Sequence, residues 1–184
     1  MVTASVSLIF FSALVPMQEH EKFMRLALAE AEAAQQLGEF PVGCVLVHNE
    51  AVIASGRRVH SCNQANELDH AEMLALRSFL DKEPAIAPQE VILYATMEPC
   101  LMCFSSLILN GIRTIIYAYE DVMGGGTNLP LQTLNPLYAA MEIEVVPGVL
   151  RQQSLALFQQ FFLNPVNPYW RGSLLATYTL QQKS

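Results

Sequence analysis

Two hydrophobic periods alternate along this chain, and the alternation predicts its elements. Residues 20–38, HEKFMRLALAEAEAAQQLG, are rich in Ala, Leu and Glu and predict a helix stopped by Gly38. VGCVLV (42–47) is a short apolar run that predicts a buried strand. His48, Asn49 and Glu50 form a hairpin turn, and AVIAS (51–55) returns as a second strand. Residues 57–69 are polar and predict a long loop. HAEMLALRSFL (70–80) predicts a helix with Asp69 as its N-cap. EVILYAT (90–96) reads as a strand, and PCLMCFSSLILNG (99–111) as a helix with Pro99 near its first turn and Gly111 just past its end. RTIIYAY (113–119) and MEIEVVPG (141–148) read as strands on either side of a loop marked by Gly124, Gly125 and Gly126. VLRQQSLALFQQFF (149–162) predicts a helix, and NPVNPYW (164–170) an irregular connector into a tail. Strands alternating with helices predict an α/β domain in three layers.

Composition narrows the class. A chain of 184 residues that is 52% hydrophobic and 15% charged suits one domain with a proper core, not a disordered segment. The formal net charge of -7 argues against a generic polyanion binder, while leaving room for a local basic patch at Arg57, Arg58 and His60. Four cysteines without dense spacing do not make a secreted disulfide scaffold, so a reducing cytoplasm is expected, with thiolates free for metal or catalysis. The apolar run at residues 6–15 is too short to span a bilayer and lacks the positive start of a secretory signal. Residues 1–16 are therefore expected to be an extension before a start at Met17. The domain is expected over 17–163, with a tail at 164–184 packed on it and no membrane partner.

The candidate chemistry lies at two strand-to-helix junctions. Cys100 and Cys103 are three apart at the start of one helix and share a face. His70 and Glu72 open another helix, where side chains lean back past the N-terminus. If the two helix starts meet, one imidazole and two thiolates converge, which is a three-ligand zinc set. Partial positive charge at both helix ends favours the thiolates. The fourth position stays open for water, and Glu72, close by and not a ligand, serves as its proton acceptor. A lone H-x-E or C-x-x-C is weak evidence; P-C-x-x-C after a buried strand together with H-x-E is a much rarer combination. Cys62, in the loop before His70, is the one candidate for a fourth ligand. Cys44 reads as core packing and His48 as a solvated turn residue. Tyr169 and Trp170 either pack the tail onto the domain or line the substrate entrance.

The same signature defines zinc-dependent nucleobase deaminases. The chain resembles the cytidine and deoxycytidylate deaminase superfamily, and within it the bacterial tRNA adenosine deaminases. The resemblance covers about residues 19–162 and rests on FPVGCVLV (40–47), HAEM (70–73), LYATMEPCLMC (93–103) and SLILNGIRTIIYAYED (106–121). It implies a cytidine-deaminase-like fold with a mixed central sheet of about five strands between helices. It implies zinc on His70, Cys100 and Cys103, Glu72 as proton shuttle, the Ala71 N–H on the base, Val42 beneath the ring, and a homodimer. Two features depart from those tRNA enzymes. Arg58 stands where they place an asparagine that reads the purine edge, and arginine donates but cannot accept; Asn63 or Asn66 would substitute after a loop shift. Their small-residue loop is replaced by MGGGTNLP (123–130). Three functions are thus expected in order: deamination of adenosine to inosine in tRNA, deamination of a free base, nucleoside or nucleotide of guanine or cytosine type, and a non-catalytic zinc-stabilised binding module.

Overall fold

A two-residue turn organises the first half of the sheet. Asn49 and Glu50 both take positive φ, 48° and 61°, which matches the twist of the flanking strands in a tight hairpin. In the computed structural model, which describes residues 16–62, 66–83 and 85–183, this turn joins β1 (Gly43–His48) to β2 (Ala51–Arg57). The apolar run at 6–15, most of the expected N-terminal extension and Asn63 lie outside the described residues.

Strands β3 (Ile92–Met97), β4 (Thr114–Tyr119) and β5 (Glu144–Val146) complete a five-stranded mixed sheet in the order β2-β1-β3-β4-β5. β1 is antiparallel to both neighbours, and β3, β4 and β5 run parallel. Parallel pairs need crossovers, and α3 (Leu101–Leu109) supplies the one from β3 to β4. The remaining helices are α1 (Met17–Gln36), α2 (Ala71–Lys82), the single turn α4 (Pro136–Ala139), α5 (Arg151–Leu163) and α6 (Leu174–Gln181).

Strand alternation sorts side chains to two faces. Cys44 and Leu46 of β1 join Leu93 and Ala95 of β3 in a core with Leu76 and Phe79 of α2 and Phe104 and Leu107 of α3. Val45 and Val47 join Tyr94, Ile116 and Ala118 in a second core with Phe23, Met24 and Ala27 of α1. The sheet therefore lies between two helical layers: a three-layer cytidine-deaminase-like α/β/α fold, as the sequence leads one to expect.

One expectation needs correction, and one helix is unanticipated. Asp69 does not cap α2: the N-cap is His70, and the Asp69 carboxylate instead accepts from Asn66 Nδ2 and pairs with His60 Nδ1, each at 2.7 Å. The connector at 164–170 is irregular as expected, but the tail after it, to which the sequence assigns no element, is helical. It ends in α6, capped by Ser173 Oγ accepting from the Ala176 N–H, and buries Leu175, Ala176 and Thr179. The eight-residue α6 has too little internal cooperativity to be legible alone; packing on α5 and Tyr119 holds it in place.

Candidate metal and base-binding site

The helices α2 and α3 begin beside each other because glycine lets the backbone close in. A Cβ on Gly56 of β2 would stand 2.1 Å from the Ala71 carbonyl oxygen, so only glycine seats the first turn of α2 against β2. The loop after β4 lies across the start of α3 in a similar way. The Gly126 N–H donates to the Pro99 carbonyl at 2.9 Å, and a Cβ there would stand 2.7 Å from Leu101 Cα. Glu98 anchors this loop: its carboxylate accepts from the Asp121 N–H at 3.1 Å and from Thr127 Oγ1 at 2.5 Å.

These contacts bring His70, the N-cap of α2, to Cys100, the N-cap of α3, and to Cys103 one turn on. His70 Nδ1 stands 3.5 Å from each sulfur, and the three ligand atoms lie within 4.8 Å of one another. Neither cap residue uses its side chain to satisfy its own helix end, so both remain available as donors. The hydrogen bond from Cys103, with the nearby imidazole, drops the Cys100 thiol to about 4, against its burial. The same bond, together with burial, pushes the Cys103 thiol up. Burial lowers the His70 imidazole, but the Cys100 sulfur and the Glu72 charge outweigh it and raise it to about 9. Three groups packed this closely share protons that a divalent cation displaces. One nitrogen and two sulfurs at two helix N-termini are a donor set for zinc with a position left open.

Glu72 is buried on the wall of the site. Burial lifts its carboxyl to about 6, and its Oε2 has no hydrogen-bond partner. A buried orphan acceptor beside the donor set suits a water or substrate proton. The adjoining cavity, about 280 Å³, is lined by Phe40, Val42, Ala71, Met97 and Leu175, with polar groups from Arg58, Glu67, Glu98 and Asp121. That size is at the low end of the roughly 300–1,000 Å³ of small-molecule sites, suited to a single base. Ala71 is the first residue of α2, so its N–H has no partner within the helix.

Arg58 is 2% exposed and borders the cavity. Its Nη1 donates to the Asn66 carbonyl at 2.8 Å and its Nη2 to Glu67 Oε2 at 3.0 Å, while Nε is buried without a partner. Tyr169 covers the guanidinium, with 5.8 Å from Cζ to the ring centroid, and Tyr169 and Trp170 both line the cavity. The basic cluster of the sequence does not converge: Arg57 reaches Glu30 at 3.4 Å and His60 pairs with Asp69. Asn66 stays on the surface, bonded to Asp69. Cys62 lies outside the donor cluster against Ser61 Oγ, Cys44 is fully buried, and His48 pairs with Glu90 at 3.1 Å. Glu67 and Asp121 escaped the sequence reading. Glu67 had a local signal, a carboxylate three residues before His70; Asp121 had none beyond closing the SLILNGIRTIIYAYED stretch after β4.

Residues 17–119 match the cytidine and deoxycytidylate deaminase zinc-binding region, and the chain belongs to that family of zinc-dependent hydrolytic deaminases. It is 30% identical over 146 residues to a tRNA-specific adenosine deaminase of Bacillus subtilis, covering 79% of this chain and 90% of that one. A solved structure from work on A-to-I editing by tRNA:A34 deaminases at the wobble position superposes with a TM-score of 0.64 at 28% identity, over 74% of this chain and 98% of the other. A guanine deaminase from Bacillus subtilis matches at 30% identity and a TM-score of 0.50, over 55% of this chain and 64% of the other. No helix among the described residues is long and apolar enough to cross a membrane.

Proposed function

We propose that the protein hydrolyses adenosine to inosine in tRNA, with release of ammonia. The observation that carries this reading is the buried Glu72 carboxylate, one oxygen unpartnered, on the wall of a base-sized cavity beside His70, Cys100 and Cys103. The identity to the Bacillus subtilis enzyme, spanning most of both chains, supports the substrate. In this reading His70 Nδ1 and the two cysteine sulfurs hold zinc, which lowers the pKa of water toward about 7. Glu72 would take one proton from the water and pass it to the ring nitrogen, then take the second proton from the hydroxyl now on the ring carbon and deliver it to the amine, which leaves as ammonia as the carbonyl forms. A C–O bond forms at the ring carbon and the C–N bond breaks. A carboxyl at about 6 is matched to moving protons in both directions near neutrality. The Ala71 N–H holds the base, Val42 lies beneath the ring, and Arg58 Nε donates to an acceptor on the purine edge. The target base must leave its stack to enter so narrow a site. The catalytic unit is residues 17–163, with the tail at 164–184 covering the cavity. The protein acts in the cytoplasm as a homodimer, supported by the exposed apolar side chains of Leu80, Leu101 and Leu109.

One observation favours a second reading, a free-base deaminase. The cavity lining carries the carboxylates of Glu67, Glu98 and Asp121, and Arg58 is its one arginine or lysine, a poor surface for phosphate. The likeness to a guanine deaminase agrees with it. An ammonia-release screen over tRNA, adenosine, adenine, guanine, cytosine and cytidine separates the two. The expected result is release from tRNA, with inosine in the product and activity that falls steeply as salt is added. Release from guanine and none from tRNA, insensitive to salt, would establish the second reading instead.

A further inference from the structure

The zinc ligand His70 has a second ring nitrogen, and the structure gives it one partner. His70 Nε2 stands 3.1 Å from Glu67 Oε2. A carboxylate only accepts, so Nε2 carries a proton, and in the neutral ring that a metal requires Nδ1 is then the nitrogen with the lone pair. Nδ1 is the atom 3.5 Å from both cysteine sulfurs. Glu67 therefore selects the tautomer that faces the metal position.

Glu67 is 54% exposed, and a carboxylate that exposed would ordinarily wander. Three donors hold this one. Besides His70, Arg58 Nη2 reaches Oε2 at 3.0 Å and the Tyr169 hydroxyl donates to the same oxygen at 3.1 Å. Arg58 is itself fixed by the Asn66 carbonyl and almost wholly buried. The carboxylate thus joins a zinc ligand to the buried arginine at the base cavity and to the tail that covers it.

We infer that Glu67 is a positioning residue for the metal: it locks the ring orientation and tautomer of His70 and raises the basicity of its Nδ1. The inference rests on the proposed zinc ligation by His70, Cys100 and Cys103. Carboxylate partners of this kind typically change metal affinity by about 10–100-fold when removed. A merely structural Glu67 would anchor the loop through Arg58 and Tyr169 and leave affinity alone.

The test is the apparent zinc affinity of the full chain, read by competition with a chromogenic chelator, with far-ultraviolet circular dichroism to confirm folding. Glu67→Ala is expected to bind zinc about 10–100-fold more weakly. Glu67→Gln, whose amide oxygen still accepts but carries no charge, should fall between it and the wild type, and serves alone should Glu67→Ala not fold. Tyr169→Phe removes one of the three donors that hold Glu67 without touching His70 and should cost less zinc affinity than Glu67→Ala. Wild-type affinity in Glu67→Ala and Glu67→Gln would overturn the inference, as would an equal loss in Tyr169→Phe. Cys103→Ala separates the two levels. If it too keeps full affinity, the ligand set itself is wrong; if it loses zinc while the Glu67 variants do not, only the role of Glu67 falls.

Discussion

At the scale of the residue, the proposed function divides the site into groups that would hold the metal and one that would react. His70, Cys100 and Cys103 form the donor triangle, and each is fixed by its place at a helix start. Glu72 lies beside the triangle, hydrogen-bonded to Cys103, while burial leaves its Oε2 unpartnered. Glu72→Gln keeps the shape and removes the proton acceptor. Zinc content should stay at the wild-type level, while turnover falls by about 10²–10⁴-fold, the usual contribution of a general acid–base group. Metal analysis beside ammonia release on the active substrate measures both, and near wild-type turnover with intact zinc would end the shuttle role. Arg58 is the residue whose part changed most between sequence and structure. The sequence offers it as part of a basic loop patch and as a substrate-binding residue; it is a buried residue bordering the cavity with an unpartnered Nε. Sequence could place it opposite the tRNA enzymes' asparagine but could not show its burial, because that depends on Tyr169, more than a hundred residues away.

At the scale of the element, the site depends on how closely two helix N-termini approach the sheet. Gly56 sets the approach of α2 to β2, since any Cβ there meets the Ala71 carbonyl oxygen. Gly56→Ala should force the first turn of α2 outward, carrying His70, Ala71 and Glu72 with it. Overpacking of this kind costs about 1–3 kcal/mol. Urea unfolding should show a lower midpoint, and zinc content should fall with it. An unchanged midpoint with full zinc would mean that the α2 start is not set by this contact. The long elements α1, α2, α3, β1, β3 and β4 were legible because each pairs a clear hydrophobic period with a Gly or turn boundary. The α2 cap was not, because Asp69 has the right chemistry for a cap and a stronger local use with His60 and Asn66.

At the scale of the whole molecule, the C-terminal tail closes the structure over the edge of the site. Tyr119 of β4 bonds Thr179 of α6 at 3.1 Å. Arg151 of α5 makes a two-pronged contact with Glu120, at 2.8 Å from Nε, and Tyr178 of α6 donates to the same carboxylate at 2.7 Å. Burial alone would raise the Glu120 carboxyl; the bonds from Arg151 and Tyr178 outweigh it and hold it below its ordinary 4.5. A lowered folded pKa means stability that is present above about pH 4.5 and is lost as pH falls through the folded value. Glu120→Gln should therefore destabilise the protein at pH 7 by roughly 1 kcal/mol or less, the scale of a partly exposed pair. The difference from wild type should vanish toward pH 3. Thermal melts of both proteins across that range measure it, and a gap that persists at low pH would show that the carboxylate charge is not the cause.

The sequence by itself determined the chemistry and the order of elements. Ligand spacing, helix starts and strand periods are local properties, so His70, Glu72, Cys100 and Cys103 and the alternation of strands and helices could be read from short stretches, while the mixed sheet was implied by the family resemblance. Tertiary structure alone decided the cavity. Its walls come from segments as distant as Phe40, Arg58, Asp121 and Tyr169, joined by the sheet order β2-β1-β3-β4-β5 and by the packing of the tail. The shared carboxylate of Glu67 belongs with it, since the bonds to Arg58, His70 and Tyr169 form only when loop, helix and tail have closed together. The physical reason is range: helix and strand signals act over a few residues, whereas burial and side-chain partners depend on which distant segments the fold packs together.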